Sequence, residues 1–256
     1  MKKQMTDFRV VAREDYLPNF FVLTLQGGEP LGEVRPGQFV EVAVPDCREV
    51  MLRRPISVHD VDVEAGTLSL LVQVVGRGTE RLSQVAVGST LNVIWPLGRG
   101  FSVAGERVLL VGGGTGVAPL LYLAKCYAAR GVRPTLLLGG RTSGLIPTLS
   151  RYEPWGRLCV ATDDGSLGER GLVTEHSCFA EPYDHICACG PTPMMKAVAR
   201  SARQRGIDCE VSLENMMACG LGACLCCVAA TDEGHKCVCR EGPVFDIKHL
   251  NQWMNE

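Results

Sequence analysis

Six cysteines fall within 21 residues, from Cys219 to Cys239, in a chain that has 13 altogether. Four of them, Cys219, Cys224, Cys227 and Cys239, are spaced C-x4-C-x2-C-x11-C. The first three follow the plant-type ferredoxin pattern, whose chemistry is a [2Fe–2S] centre held by four thiolates. Gly220 and Gly222 lie between the first two, where a loop must curl tightly and turn amide hydrogens toward sulfur. Such hydrogen bonds tune a reduction potential. Zinc is the rival, but a four-cysteine zinc site usually pairs one C-x2-C with another, and the x4 spacing favours iron. A disulfide framework fits poorly, because the cysteine count is odd. The stretch MKKQMTDFRVVARED also has no apolar run of signal-peptide length, so the expected setting is reducing and cytoplasmic. Cys226 and Cys237 read as unligated small core residues.

Four further stretches have residue types suited to phosphates or a bound nucleotide. Gly112-Gly113-Gly114-Thr115-Gly116 follows a strand and opens a helix, where backbone amides and a helix N-terminus favour a pyrophosphate. Its third glycine position is not glycine, and the next strand ends Gly139-Gly140-Arg141 without the acid that usually holds a ribose. That departs from the standard Rossmann fingerprint and leaves a phosphate-binding turn. Cys189-Gly190-Pro191 ends a later strand, with Thr192 expected as N-cap and Pro193 at the first helical position. Arg53-Arg54-Pro55-Ile56-Ser57 offers a guanidinium, the group suited to phosphate oxygens. Gly76-Arg77-Gly78-Thr79 is a glycine turn with free amides. Each has a bland counterpart: a tight turn, a buried small thiol, a solvated arginine pair, a hairpin. Asp163-Asp164-Gly165-Ser166 reads as an ordinary polar turn.

Two kinds of element must position these groups. From Phe8 to about Val103 the runs FRVVARE, FFVLTLQ, QFVEVAV, ISVHDVDV, TLSLLVQVV and STLNVIWPL alternate between turn residues, which predicts an antiparallel barrel. From about Ala104, strand-like runs (RVLLVGG, PTLLLGG, RLCVATDD, HICACG, DCEVSLE) alternate with helical ones (APLLYLAKCYAARG, PTPMMKAVARSARQRG), which predicts a parallel doubly wound sheet. The expected organisation is residues 1–103, 104–210 and 211–256, the last a small cysteine-bearing subdomain. A length of 256 residues suffices for two cores and an appendage. The net charge of -2 gives no reason to expect nucleic acid, and the richest apolar segment is broken by glycines, so no membrane insertion is expected.

In combination the motifs resemble the flavin-dependent ferredoxin-reductase superfamily, and more closely the electron-transfer subunits of NAD-dependent dihydroorotate dehydrogenase. The resemblance rests on R-P-I-S at Arg54 to Ser57, V-G-R-G-T at Val75 to Thr79 and G-G-G-T-G-V-A-P at Gly112 to Pro119. D-G-S-x-G from Asp164, C-G-P at Cys189 and M-A-C-G-L-G-A-C-L-C-C…V-C-R-E-G-P-V-F complete it, in the family's order over essentially the whole chain. It implies FAD on the barrel, held by Arg54, Pro55, Ile56, Ser57, Leu71, Val72, Gln73, Gly78 and Thr79. It implies NAD on the α/β domain, held by Gly113, Gly114, Thr115, Gly116, Cys189, Gly190 and Pro191, in a manner unlike the classical dehydrogenases. The family's last cluster ligand directly precedes x-[DE]-G-P-V-F, which selects Cys239 over Cys237. The implied role is electron transfer in de novo pyrimidine synthesis, from an FMN-containing dihydroorotate dehydrogenase catalytic subunit to NAD, in a heterotetramer of two of each.

Two alternatives compete. A reductase subunit of a bifurcating ferredoxin–NADP transhydrogenase or sulfide dehydrogenase often carries aspartate at the first cluster position and T-G-M-C around it, whereas A-C-G-L-G-A-C stands here. A zinc-stabilised binding module without redox activity would be colourless. No nucleophile, catalytic triad or paired carboxylate is evident, as expected where cofactors carry the chemistry.

Overall fold

The alternating N-terminal runs close on themselves. The computed structural model describes residues 3–17, 19–28 and 31–255. Strands β1 (Gln4–Tyr16), β2 (Phe20–Gln26), β3 (Phe39–Val42), β4 (Arg54–Asp62), β5 (Thr67–Gln73) and β6 (Thr90–Leu97) form a closed barrel in the order β1-β2-β5-β4-β3-β6. Every pairing is antiparallel, and closure leaves no sheet edge. Inward residues such as Phe8, Val10, Leu23, Val40, Leu68 and Leu91 are fully buried and fill the interior. A short helix, α1 (Arg77–Leu82), sits between β5 and β6.

The second unit begins with β7 (Val108–Gly113), followed by a 3-10 turn (Gly114–Val117) and α2 (Leu120–Ala129). Next come β8 (Thr135–Gly140), α3 (Leu149–Tyr152), β9 (Arg157–Thr162), β10 (Glu169–Arg170), β11 (His185–Cys189), α4 (Thr192–Gln204) and β12 (Asp208–Ser212). The strands from β7 to β12 pair in parallel, and the sheet order is β10-β9-β8-β7-β11-β12, with one C-terminal strand added beyond β12. The chain therefore winds outward from β7 through β8, β9 and β10, then crosses to the other side of β7 for β11. That makes the crevice beyond β7 and β11 the switch point where open α/β sheets take ligands. Between β10 and β11 the crossover is two 3-10 turns, Val173–Glu175 and Ser177–Ala180, rather than a helix.

The cysteine-rich segment forms a hairpin, β13 (Val228–Thr231) with β14 (Gly234–Cys237), and then β15 (Val244–Asp246) and α5 (Asn251–Asn255). β15 pairs antiparallel with β12 and so completes the large sheet. Three residues after a Gly-Pro pair give too little periodicity to announce a strand. The expected cap of α4 moves by one residue. Pro191 is the N-cap and Thr192 makes no capping bond, since Pro193 removes an amide that would otherwise need a partner.

Barrel and α/β unit meet through polar contacts in an apolar seam. Tyr122 donates to Val34 O at 3.1 Å, and Lys125 bonds Asp60 at 2.5 Å. His59, fully buried, donates from Nδ1 to Ala118 O at 2.8 Å. Burial lowers its pKa to about 4, so the ring is neutral at pH 7. A histidine whose folded pKa lies below its unfolded value near 6.5 lends stability above that value, and loses it as pH falls toward about 4. The expected loss between pH 7 and pH 5 is roughly 2 kcal/mol. Thermal melts at the two pH values should show this slope reduced in His59→Gln, which keeps a donor for Ala118; an unchanged slope would count against it.

Candidate functional site

The C-terminal ends of β7 and β11 bring the two glycine turns into contact. A Cβ on Gly113 would lie 2.6 Å from Met194 Sδ and 2.9 Å from Pro191, and one on Gly190 would lie 2.9 Å from Gly113 N. Gly114, at φ +56°, has open space above it. The pocket beside these turns has about 1090 Å³ of free space, part of it open to solvent. Its walls include Gly113, Gly114 and Pro191 from the expected set, and Arg141, Asp163 and Thr174 from outside it. Asp163, read in sequence as a turn residue, is thus a pocket wall. Strand β9 ends at the switch-point crevice beside β8, a placement that only the sheet order reveals.

Gly116 and Cys189 have a different role. A Cβ on Gly116 would sit 2.3 Å from Cys189 O, so the glycine lets the 3-10 turn lie on the β11 backbone. Cys189 itself is buried, and burial raises its thiol pKa. It is a packed residue behind the turns and not part of either pocket wall described here.

A second cleft, also of about 1090 Å³, lies where all three parts of the chain meet. The barrel contributes Pro55, Ile56 and Ser57 from β4, Leu71, Val72 and Gln73 from β5, and Thr79 from α1. The α/β unit contributes Thr115 and Ala118, so Thr115 faces this cleft and not the glycine pocket. The end of β12 and the segment after it, Ser212 to Asn215 with Met217, close the remaining side. That wall was not anticipated, because it arrives by a long crossover and has no local signature.

The arginine pair splits. Arg53 turns inward, donating to Asn92 O at 2.9 Å and to Glu41 O at 3.3 Å, which ties β3 to β6. Arg54 lies over Gly78, where a Cβ would come within 2.3 Å of Nε. The two motifs therefore form one cradle, in which glycine lets the guanidinium lie directly on the turn. Thr79 Oγ1 accepts the Val75 and Gly76 amides at 2.9 and 3.2 Å, fixing the turn that carries Gly78.

The cluster loop begins two residues beyond Met217. Gly220 and Gly222 take positive φ (65° and 83°), as does Leu225 (59°), and these three turns curl the loop. The amide of Leu221 donates to Cys219 Sγ at 3.3 Å, and that of Cys239 to Cys227 Sγ at 3.4 Å. Burial opposes ionisation of Cys219, yet the amides of Leu221, Cys224 and Ala223 and the Cys224 thiol bring it down to about 6. Cys239 is pushed up to about 12 by burial and the adjoining Cys227 thiol, while the Gly222 amide favours its thiolate. Cys224 thus acts on Cys219, while Cys227 and, more weakly, Cys219 act on Cys239. Zinc would draw all four around one ion, at about 2.3 Å from each sulfur. Among the described residues, the sets of three or more donors within 4.8 Å of one another lie elsewhere. Amide-lined turns around these thiols fit a two-iron cluster, with Cys227 and Cys239 buried and Cys224 exposed. Cys226 is exposed and Cys237 half-buried at the end of β14.

Glu41 is a feature that sequence reasoning missed. It is buried on β3 beneath the loop, where a Cβ on Gly220 would lie 2.5 Å from its Cγ, and neither carboxyl oxygen has a hydrogen-bond partner. Burial, only partly offset by Arg53, raises its pKa to about 7.

Comparison with known proteins gives a consistent picture. A family model described as the iron–sulfur cluster binding domain of dihydroorotate dehydrogenase B matches residues 214–251. The chain is 36% identical over 256 residues to the dihydroorotate dehydrogenase B (NAD(+)) electron transfer subunit of Shouchella clausii, covering 96% of this chain and 98% of that one. It is 39% identical to the subunit of the same description from Caldanaerobacter subterraneus subsp. tengcongensis, covering 96% of each. Among solved structures it superposes on one described as an NADH-dependent reduced ferredoxin-NADP oxidoreductase, with a TM-score of 0.85 and 34% identity, over 94% of this chain and 88% of that one. The ferredoxin reductase of carbazole 1,9a-dioxygenase, at 21% identity and a TM-score of 0.68 over 81% of this chain and 67% of that one, shares the fold.

Proposed function

We propose, from the premise that this chain belongs to the family of dihydroorotate dehydrogenase B electron transfer subunits, that it passes electrons from a dihydroorotate-oxidising partner to NAD. The observation that carries this reading is the cleft bordered by barrel, α/β unit and cluster segment together, with the cluster loop starting two residues beyond Met217 in its wall. FAD, when bound there, exchanges a hydride with nicotinamide and single electrons with iron–sulfur centres. The residues of the chain do the placing. Arg54, packed on Gly78, offers its guanidinium to the diphosphate, while Pro55 to Ser57 and Leu71 to Gln73 wall the flavin. Gly113, Gly114, Gly190 and Pro191 leave room for the nucleotide to approach from the switch point. Cys219, Cys224, Cys227 and Cys239 hold the [2Fe–2S] cluster.

Around the cluster, Met216, Leu221 and Leu225 are exposed at 85, 42 and 64%. Apolar side chains in the open beside an electron-transfer centre suit a docking face. We assign it to an FMN-containing catalytic subunit, in a heterotetramer of two of each. Among the described residues no helix is long and apolar enough to cross a membrane. The bifurcating-transhydrogenase alternative is not favoured, since the curated relatives are described as dihydroorotate dehydrogenase subunits.

The test is reconstitution. The chain alone should reduce an artificial acceptor with NADH and show no dihydroorotate oxidation, because its two clefts are assigned to flavin and nucleotide and the oxidation of dihydroorotate to the partner. Addition of the partner should create NAD-linked dihydroorotate oxidation, and Cys224→Ala should abolish it while sparing reduction of the flavin by NADH. Dihydroorotate turnover by the chain alone, or an unchanged coupled rate in Cys224→Ala, would refute the reading.

Nucleotide choice follows from the pocket walls. Asp163 shares the pocket with Arg141, so a 2′-phosphate would bring its charge toward a carboxylate as well as a guanidinium. NADH is expected to exceed NADPH by about tenfold or more in kcat/KM, a difference of about 1.4 kcal/mol. Equal efficiencies with the two nucleotides would contradict this assignment.

A further inference from the structure

Next in sequence to the stretches that line the nucleotide pocket, β9 and the turns after β10 carry a second set of soft donors that electron transfer does not use. Cys159 on β9, with His176 and Cys178 from the turns after β10, places two sulfurs and an imidazole nitrogen within 4.8 Å of one another. Cys178 and His176 are 2 and 8% exposed, while Cys159 is half-buried and leaves an approach from solvent. His176 Nδ1 accepts the Cys178 amide hydrogen at 3.1 Å, which puts the neutral ring's proton on Nε2, 3.5 Å from Glu169 Oε1. Glu169 is held by the Ser177 amide at 2.8 Å and by the Ser177 hydroxyl. A carboxylate beside one imidazole nitrogen, with thiols close to the ring, is the arrangement that orients metal-bound histidines.

We propose that Cys159, Cys178 and His176 form a zinc site, with Glu169 as the residue that positions the histidine. Two thiolates and one imidazole suit Zn²⁺ over hard cations, and water completes a tetrahedral set. Binding exchanges two S–H protons, released to solvent, for two Zn–S bonds, without a change of oxidation state. The ion takes the Nδ1 lone pair and displaces the Cys178 amide from it, so binding gives up that 3.1 Å hydrogen bond. Burial and the neighbouring Cys159 thiol raise the Cys178 pKa to about 12, which Arg157 offsets only in part, so the ion itself has to displace the proton. The site pins β9 to the segment after β10, and Ala161, Gly171, Leu172, Val173 and Thr174 from these same stretches line the nucleotide pocket. Bracing of that wall rests on the nucleotide reading of the pocket, whereas metal binding does not.

The experiment uses the chain with flavin and iron in place, treated with EDTA, desalted and titrated with Zn²⁺ alone. One zinc per chain is expected, with X-ray absorption at the zinc edge showing two sulfurs at about 2.3 Å. Cys159→Ser and Cys178→Ser should lose it while iron and flavin contents stay at wild-type values. Glu169→Gln leaves every ligand in place and should weaken zinc binding about tenfold or more. Failure to bind zinc stoichiometrically, an edge without sulfur, or equal affinity in the serine variants would overturn the proposal. So would a Cys159–Cys178 disulfide in protein isolated with reductant. If the serine variants lose iron and flavin through misfolding, the Glu169→Gln titration decides. A rise in the KM for NADH on zinc removal, absent in Cys159→Ser, tests the bracing separately.

Discussion

Cys239→Ala is expected to yield a yellow protein that retains flavin and has lost its iron, while Cys226→Ala and Cys237→Ala keep the brown of an intact cluster. Cys239 is buried beside Cys227, and its own amide donates to the Cys227 sulfur at 3.4 Å. Removing its sulfur takes away one of the four thiolates, and two-iron clusters need four. Cys237 lies only two residues away, so the contrast tests register rather than proximity. Its contribution to the loop is made by backbone. Its carbonyl accepts the Arg240 and Glu241 amides, both at 2.9 Å, and its amide donates to Glu241 at 2.9 Å. Alanine preserves all three bonds, which is why the hairpin should still present Cys239. Cys226 is exposed next to Cys227, and its side chain can be shortened without leaving a cavity. Iron content and visible spectra of the three variants decide the matter. Bleaching by Cys237→Ala alone would move the ligand to that position, and loss in both would mean that the loop had been disrupted.

Legibility in the sequence followed the range of the interaction. Ligands spaced C-x4-C-x2-C lie in one loop, and a glycine between them is a local requirement, so both could be read directly. The barrel strands were legible because β1 alternates, as in Phe8 and Val10, and because β2 and β5 are short β-rich apolar runs between turn residues. Features made by crossovers left no such trace. Glu41 looks like one polar position in a strand until Gly220 arrives above it from a distant part of the chain. Asp163 becomes a pocket wall only because β9 ends beside β8 at the switch point. Gly139 hints at this in retrospect, since a Cβ there would meet Val173 at 2.4 Å, yet nothing nearby in sequence names Val173 as its neighbour. The strand β15 was hidden for a related reason: its pairing with β12 is specified by its partner more than by its own three residues.

Gly116→Ala is expected to cripple NADH-dependent reduction while leaving FAD in place. Gly116 does not sit in the left-handed region, so its requirement is for space and not for conformation. The added methyl carbon would lie 2.3 Å from Cys189 O, 2.4 Å from Cys189 C and 2.4 Å from the Gly190 Cα. These are main-chain atoms of the central strand β11 and its turn, which is also pressed against Gly113. A side chain in the way could change rotamer, but this backbone can yield only by pushing the two turns apart. Overpacking costs about 1–3 kcal/mol even where side chains can adjust, so the upper end of that range is expected here. For a chain of this size that is a melting-temperature loss of roughly 6–12 °C. Parting the turns displaces Gly113, Gly114 and Pro191 together, so the KM for NADH should rise at least about tenfold, or 1.4 kcal/mol. The barrel side of the flavin cleft lies on other elements and should keep its ligand. Gly131→Ala is the control. Gly131 follows α2 at φ +78° with nothing within 4 Å of its would-be Cβ, so alanine there meets conformational strain without collision. It should cost about 1 kcal/mol and leave the nucleotide affinity unchanged. An unchanged KM for NADH in Gly116→Ala would mean that the glycine turns tolerate a methyl group, and the close contact between β7 and β11 could not then be what shapes the nucleotide site.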